Sequence, residues 1–227
     1  MTITDLENKT HENHPHAFLV MVAVDAEKEA VLRGLQDDKR FDVKLAGVGP
    51  TAAAANTSVA LAEGNYDLVI SAGIGGGFPE RIDVGCIAVA DEMIAADLGA
   101  ESSDGFIPIE ELGFGSSRIA VPSSLSTKIT ESIRTSDLPV TSGQIVTLST
   151  VTGTVETAAA LTNRYPNVVA EAMEGFGVAT AAQIHSIPVM EIRAISNNVG
   201  PRDRNGWKIK DALQSLEKAF SAVKEVI

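Results

Sequence analysis

An apolar run meets a helical pattern in the stretch Val169-Ala170-Glu171-Ala172-Met173-Glu174-Gly175-Phe176-Gly177. The run predicts a buried strand at residues 167–172, and the pattern after it predicts a helix over 174–186. Glu174 therefore lies at the junction of a strand and a helix. A carboxylate in that position either complements the helix macrodipole or faces a ligand at the carboxyl end of the strand.

The same alternation of strands and helices continues on both sides of this stretch. Apolar runs predict further strands at residues 17–24, 41–46, 67–71, 84–93, 117–121, 143–150 and 187–195. Helices are predicted over residues 25–35, 50–63, 124–134 and 154–164, and a last helix has an apolar stripe from Ile209 to Val226. Residues 95–115 are predicted to form a polar loop. We predict one α/β domain over residues 17–227, preceded by a disordered polar tail at 1–16.

The composition narrows the class of function. Thirty acidic residues against eighteen basic ones give a formal net charge of −12, which disfavours nucleic acid as a partner because phosphate backbones select basic surfaces. Cys86 is the single cysteine, so neither a disulfide framework nor a thiolate metal cluster is expected, and we expect no cofactor. No apolar run reaches the ~18 residues of a membrane span, and no signal segment is visible. The expected protein is cytoplasmic and acts on a small molecule.

A glycine-rich segment, Gly73-Ile74-Gly75-Gly76-Gly77, follows a predicted strand and suggests a dinucleotide site. Such a site requires a helix directly after the glycines, because the N-terminus of that helix binds the pyrophosphate. Pro79 and Asp83 interrupt the next stretch, and a strand is predicted from Val84, so a dinucleotide site is disfavoured. We predict a turn here whose backbone closely approaches a smaller ligand; a turn packed without a ligand is the alternative.

Two motifs resemble those of the purine nucleoside phosphorylase and nucleosidase superfamily: residues 169–177, quoted above, and Ile192-Arg193-Ala194-Ile195-Ser196-Asn197. The similarity runs from about Ala17 to the C-terminus. It is closest to the methylthioadenosine/S-adenosylhomocysteine nucleosidases and, within that branch, to the futalosine hydrolases of menaquinone biosynthesis, which the runs 97–101 and 198–204 favour. The resemblance implies a single-domain phosphorylase/hydrolase-like α/β fold, with a central mixed β-sheet flanked by α-helices, and a homodimer or larger homo-oligomer.

The resemblance also implies roles for two carboxylates. Glu174 would accept hydrogen bonds from the ribose 2′- and 3′-hydroxyls, and its charge would favour an oxocarbenium-like transition state. Glu29, just after the first strand, would be the general base that activates water, and Glu27 is a competing candidate. For Glu29, the alternative is a solvated carboxylate in the first turn of a helix.

Asn197 departs from the pattern of the adenine-cleaving relatives, which have an aspartate at this position. An asparagine amide offers a donor and an acceptor but is a poor proton source. The departure favours a 6-oxopurine such as hypoxanthine over adenine as the leaving base, and the proton would come from water or Ser196. Asn198 could share this role, and an asparagine that only stabilises a turn is the alternative.

Further residues are placed around the purine nucleoside by the resemblance alone. Val151 and Thr152 would contact the base, and Ser196 would lie near it. The backbone at Gly75 and Gly76 would approach the ribose or the attacking water. These residues would form the base and sugar part of the pocket.

The remaining residues would lie along the sugar and its 5′-substituent. Met173 would pack on the ribose, with a place in the core as the alternative. Trp207 would lie beside the 5′-substituent, with a role in covering the last helix as the alternative. Arg202 or Arg204 would bind a carboxylate on that substituent through a bidentate contact, unless these arginines only form surface ion pairs.

The function implied is hydrolysis of futalosine to hypoxanthine and dehypoxanthine futalosine. A methylthioadenosine/S-adenosylhomocysteine nucleosidase and a purine nucleoside phosphorylase are alternatives from the same class. A phosphorylase needs cationic groups around its phosphate, and residues 73–77 and 91–101 contain no lysine or arginine, so water is favoured as the acceptor. A nucleoside-binding protein without catalytic activity is the alternative from another class.

Overall fold

An eight-stranded mixed sheet lies at the centre of the computed structural model, which describes residues 16–227. The strands of this sheet and of a small second one are β1 Phe18–Val22, β2 Phe41–Leu45, β3 Leu68–Gly77, β4 Ile87–Ala95, β5 Gly99–Ser102, β6 Gly105–Pro108, β7 Arg118–Ala120, β8 Val140–Thr147, β9 Val168–Ala172 and β10 Val189–Asn198. The helices are α1 Asp25–Leu35, α2 Pro50–Glu63, α3 Ser123–Thr135, α4 Val155–Arg164, α5 Gly175–Ile184 and α6 Ile209–Val223. Of the predicted tail at 1–16, all but residue 16 lies outside the described residues.

Strand pairing closes part of the central sheet into a ring. β2, β1, β3 and β10 are parallel neighbours, and β4 lies antiparallel to β10 on its other side. β8 pairs in parallel with β4, and β9 pairs in parallel with β8. β9 also pairs antiparallel with β3, which closes the ring. β7 pairs antiparallel with β4. This topology confirms the predicted mixed-sheet α/β fold. It also brings the carboxyl ends of β3 and β10 next to the end of β9.

Helices cover the sheet with their apolar faces. Leu216 and Phe220, from the predicted stripe of α6, are fully buried, and α6 packs against α1. Gly34 permits this approach, because a Cβ there would collide with the backbone of Glu217. α2 packs against α5, which begins directly after Glu174 and so sets the position of that side chain. No helix within residues 16–227 is long and apolar enough to cross a membrane.

The prediction of a turn at residues 73–77 is wrong, because β3 continues through these residues to Gly77. They pair with the second half of β10. A Cβ at Gly73 would lie 2.5 Å from Oε1 of Glu27, and a Cβ at Gly75 would lie 2.8 Å from the carbonyl oxygen of Glu171. The glycines therefore allow a carboxylate and a neighbouring strand to approach the backbone of β3, and no turn is needed to explain them.

The prediction of a loop throughout residues 95–115 is also wrong in part. β5 and β6 form an antiparallel hairpin there, in which Gly99 pairs with Pro108 and Ser102 with Gly105. Gly105 follows the turn with a φ of 119°, a conformation that favours glycine. The two strands are exposed or half-buried along their length, so they lack the apolar run by which a buried strand is recognised.

Candidate active site

Two adjoining cavities lie where β3, β9 and β10 end. The first, which we call the carboxylate pocket, has a volume of about 220 Å³ and is lined by three buried glutamates, Glu27, Glu171 and Glu174, among other residues. The second, which we call the loop pocket, has a volume of about 320 Å³ and is formed largely by residues 197–207. Because Val151 lines both cavities, they form one continuous site.

Most of the residues that the resemblance placed at the substrate line these two cavities. Those around the carboxylate pocket are Gly75, Gly76, Val151, Met173, Glu174, Ser196, Asn197 and Trp207. Those around the loop pocket are Val151, Thr152, Asn197, Asn198, Arg202 and Trp207. Arg204, the alternative to Arg202, is exposed and lines neither cavity. The fold thus brings together side chains from distant parts of the sequence.

Arg193, in β10, is completely buried and lines neither cavity, but its guanidinium contacts the carboxylate of Glu174. Its Nε donates to Oε1 of Glu191 at 2.8 Å, and its Nη2 donates to Oγ of Ser71 at 3.0 Å. Its Nη1 lies 3.3 Å from Oε2 of Glu174, an ion pair without hydrogen-bond geometry. Burial by itself lowers the pKa of Arg193, but the charges of Glu191, Glu174 and Glu27 outweigh burial and raise it. One guanidinium is therefore the shared partner of three buried carboxyl groups.

Glu174 lies at the strand–helix junction that the sequence predicts, as the residue before α5. Its Oε1 accepts a hydrogen bond from the backbone N–H of Gly49 at 3.2 Å, while Oε2 faces Arg193. Only 8% of the side chain is exposed. Contacts with Gly49, just before α2, and with Arg193 in β10 thus hold the carboxylate at the carboxylate pocket. A solvated carboxylate at a helix start would lack such contacts.

Gly175 packs against the carboxylate of Glu191, and a Cβ at this position would collide with both carboxylate oxygens. We therefore expect Gly175→Ala to push Glu191 away from Arg193 and to lower the free energy of unfolding by about 1–3 kcal/mol. Thermal unfolding measures the loss. Gly153→Ala is the matched control, because nothing lies within 4 Å of a Cβ built there. Equal melting temperatures for the two variants would contradict the packing argument.

Glu27 is the buried carboxylate that α1 contributes to the site. Its Oε2 accepts a hydrogen bond from the N–H of Ala23 at 2.9 Å, and its Oε1 accepts one from the N–H of Ile74 at 2.8 Å. Burial raises the pKa of Glu27, and Arg193 together with the backbone donors only partly opposes this rise. A carboxylate with a raised pKa is a better proton acceptor than an exposed glutamate.

Glu29 does not lie at the site, which corrects the prediction made for it. The residue is on the exposed face of α1 and lines neither cavity. Two residues along a helix correspond to a rotation of roughly 200°, so Glu27 and Glu29 point to opposite sides. Contact of α1 with the glycine-rich part of β3 decides that Glu27, the competing candidate, is the one that faces inward.

Glu171 belongs to the site although the sequence interpretation assigned it no role. It is 4% exposed, lies in β9, and its Oε1 accepts a hydrogen bond from the N–H of Thr152 at 2.8 Å. Burial raises the pKa of Glu171, against the opposing effect of the nearby Thr152. The available signal was an acidic residue inside an otherwise apolar strand, two positions before Met173 in the quoted motif.

Ser196 and Asn197 form a hydrogen-bonded pair at the end of β10. Oγ of Ser196 donates to Oδ1 of Asn197 at 2.8 Å. Nδ2 of Asn197 donates to the carbonyl oxygen of Asn198 at 3.0 Å. The amide is only half-buried and borders both cavities, so its N–H groups are accessible to a ligand.

Within residues 16–227, no group of three His, Cys, Asp or Glu side chains is placed to hold a metal ion.

Comparison with known sequences gives relatives that span most of the chain. A family profile described as "Phosphorylase superfamily" matches residues 4–227. Futalosine hydrolase from Streptomyces coelicolor is 46% identical over 232 residues, which cover 92% of this chain and 96% of that protein. Futalosine hydrolase from Acidothermus cellulolyticus is 44% identical over 90% of this chain and 89% of that protein.

Solved structures share the fold. A structure of futalosine hydrolase from Helicobacter pylori aligns with a TM-score of 0.80 at 19% identity, covering 93% of this chain and 98% of that one. The methylthioadenosine/S-adenosylhomocysteine nucleosidase from Neisseria meningitidis, in complex with methylthio-immucillin-A, aligns with a TM-score of 0.81 at 22% identity, covering 94% and 100%. The chain therefore belongs to the phosphorylase superfamily and, within it, to the family of the futalosine hydrolases.

Proposed function

We propose that this protein hydrolyses the N-glycosidic bond of futalosine to hypoxanthine and dehypoxanthine futalosine, as a step of menaquinone biosynthesis. The coarser activity, that of an N-glycosyl hydrolase, follows from its family. One observation carries the finer proposal. The carboxylate pocket combines the amide of Asn197 with the two buried carboxylates of Glu27 and Glu174. Both carboxylates neighbour Arg193.

Glu174 binds the ribose in this mechanism. Its contacts with Gly49 and Arg193 fix the carboxylate and leave lone pairs free for the ribose 2′- and 3′-hydroxyls. Positive charge develops on the sugar as the glycosidic bond breaks, so a preorganised carboxylate stabilises the transition state more than the ground state. Met173 lines the same cavity and packs against the sugar.

Glu27 activates the water. The oxygen of a water molecule attacks C1′ while the bond from C1′ to the purine nitrogen breaks and its electron pair goes to the purine. Glu27 takes the proton that the water loses. A general base of this kind contributes about 10²–10⁴-fold to the rate, and the raised pKa of Glu27 places it closer to the working pH.

Asn197 binds the departing base. The amide oxygen accepts from Ser196 and one N–H donates to the carbonyl oxygen of Asn198, so the other N–H of Asn197 is the part that meets the purine. It donates to the ring nitrogen or to the 6-oxygen of hypoxanthine, which stabilises the negative charge on the leaving group. A water molecule or Ser196 supplies the proton, because an amide does not.

The loop pocket accommodates the 5′-substituent. The guanidinium of Arg202 lies over the Trp207 ring, 5.9 Å from its centre, so this pocket combines an aromatic ring and a cation. Futalosine has an aryl ketone with a carboxylate in this part of the molecule. Trp207 stacks on the aryl group, and Arg202 binds the carboxylate.

Base release is expected to proceed at the same rate with and without inorganic phosphate. The lining of the carboxylate pocket, as far as residues 16–227 form it, contains three glutamates and no lysine or arginine, so it disfavours a phosphate dianion near C1′. Chromatography of freed hypoxanthine at equal ionic strength, with phosphate or with chloride, measures the effect. Strict dependence on phosphate, with the 1-phosphate of the 5′-substituted sugar as a product, would assign a phosphorylase.

The substrate is tested by offering futalosine, aminodeoxyfutalosine, inosine and methylthioadenosine to the purified protein. Futalosine is expected to react fastest, because only the futalosines carry a substituent that fills the loop pocket and, of these two, only futalosine has the 6-oxopurine that Asn197 favours. Rapid cleavage of methylthioadenosine with intact futalosine would assign the methylthioadenosine/S-adenosylhomocysteine nucleosidase activity, and binding without cleavage of any substrate would assign a binding protein.

The homodimer or larger homo-oligomer and the cytoplasmic location stay predictions. Sedimentation tests the first, and cell fractionation tests the second.

A further inference from the structure

Glu171 carries a carboxylate oxygen that the mechanism does not use. Oε1 accepts from the N–H of Thr152, whereas Oε2 is buried and has no hydrogen-bond partner among residues 16–227. The hydroxyl of Thr152 is likewise buried and has no hydrogen-bond partner among these residues. A buried carboxylate oxygen without a donor is unfavourable unless a ligand supplies one.

Strand register places Glu171 across the site from Asn197. Gly76 in β3 pairs with Glu171 in β9 on one side and with Asn197 in β10 on the other. Two strand spacings separate β9 from β10 at this level, roughly 10 Å. That distance suits a purine with a hydrogen bond at each of two opposite edges, and both residues line the carboxylate pocket.

We propose that Glu171 selects 6-oxopurines by accepting a hydrogen bond from N1–H of the base. The inference rests on the proposed purine nucleosidase function and adds to it the residue that reads the base. Hypoxanthine has a hydrogen on N1 and requires an acceptor there, whereas N1 of adenine is itself an acceptor and requires a donor.

The arrangement also removes a donor that adenine would need. The backbone N–H of Thr152 is one nearby donor that could serve N1 of adenine, and Oε1 of Glu171 already occupies it. Glu171 therefore has two effects on one position: it blocks a donor and supplies an acceptor. A polar pocket that leaves a ligand atom unpaired discriminates far more strongly than a difference in shape.

Glu171→Gln is the decisive variant. Its amide oxygen still accepts from Thr152, whereas its amide nitrogen presents a donor in place of Oε2. Calorimetry with hypoxanthine and adenine is expected to show that the wild-type protein prefers hypoxanthine and that the variant shifts the affinity ratio toward adenine on the order of 100-fold. A role in holding Thr152 alone would weaken both bases equally, and an unchanged ratio overturns the proposal.

A second probe needs no variant. 1-Methylhypoxanthine lacks the hydrogen on N1, so the wild-type protein should bind it on the order of 100-fold more weakly than hypoxanthine. Equal binding of the two bases overturns the role of Glu171 even if Glu171→Gln does not fold. These binding assays are independent of turnover: hypoxanthine preference without cleavage of futalosine would reject the proposed function and keep the role of Glu171.

Discussion

Glu27→Gln is expected to lower kcat for release of hypoxanthine about 10³-fold, within the range that a general base contributes. Glutamine cannot take the proton of the attacking water, although its shape matches that of glutamate. Steady-state release of hypoxanthine from futalosine measures the loss. Hypoxanthine itself should still bind to the variant, because no proposed contact of the base involves Glu27.

Glu29→Gln is the matched control, since it makes the same chemical change two residues further along α1. Glu29 is exposed, so its replacement should leave kcat unchanged. The wild-type kcat should fall as the pH drops through the raised pKa of Glu27, because protonation removes the base. A loss of activity in Glu29→Gln, or full activity in Glu27→Gln, would contradict the assignment of the base.

A check on folding belongs with this experiment. Both oxygens of Glu27 accept backbone hydrogen bonds, so the amide nitrogen of Glu27→Gln faces an N–H group. We expect this mismatch to lower the free energy of unfolding by about 1–3 kcal/mol. Thermal unfolding and binding of hypoxanthine show whether the variant is folded under the assay conditions, so that a loss of kcat can be ascribed to chemistry.

Glu174→Gln is expected to lower kcat/KM for futalosine about 10²–10³-fold, because a neutral amide stabilises the cationic sugar of the transition state much less than a carboxylate does. The effect requires the ribose hydroxyls. The same substitution should therefore lower kcat/KM much less for the 2′-deoxy analogue of the substrate. Comparison of both substrates in both proteins measures the coupling between Glu174 and the 2′-hydroxyl.

Glu191→Gln separates contact with the sugar from disturbance of Arg193. Both Glu174 and Glu191 neighbour the guanidinium, but Glu191 lines neither cavity. If Glu191→Gln depressed kcat/KM as strongly as Glu174→Gln, and if the 2′-deoxy substrate responded like the full one, the role of Glu174 would be structural. We expect a large loss of kcat/KM for the full substrate in Glu174→Gln and not in Glu191→Gln.

Charge in this site suits a positively charged transition state. Glu27, Glu174 and Glu191 surround Arg193, so the fully ionised cluster has an excess of negative charge. Burial raises the pKa of both Glu27 and Glu191, which means that their charged forms are poorly solvated. A developing cation on the sugar relieves this imbalance, and at ~4 Å each such attraction is on the order of 4 kcal/mol for an effective dielectric of 20.

Much of the site could be predicted before the fold was known. Glu174 follows an apolar run and precedes a helical pattern, and the structure shows it at that junction. Asn197 lies near the end of β10, just beyond the apolar run at residues 187–195 that predicts this strand, and it reaches the site for that reason. Both positions are predictable because an apolar run marks where a strand ends, whereas the meeting of the ends of β9 and β10 depends on the antiparallel pairing of β9 with β3.

Glu27 and Glu171 could not be assigned in the same way. Two glutamates in the first turns of α1 have equal local propensity, and only packing of α1 against β3 selects Glu27. Glu171 has a role because β9 lies beside Gly76 and because its carboxylate reaches Thr152, nineteen residues earlier in the chain. Neither contact is visible in a local pattern.

The sequence by itself determined the α/β alternation, the place of Glu174 after a strand and the polar identity of Asn197, because hydrophobic periodicity and residue chemistry are local properties. The tertiary structure alone decided that the glycines of β3 are strand residues, that Glu27 rather than Glu29 is buried, and that Glu171 faces the site from β9. These outcomes depend on which strands become neighbours, and that choice minimises the free energy of the whole chain rather than of any one segment.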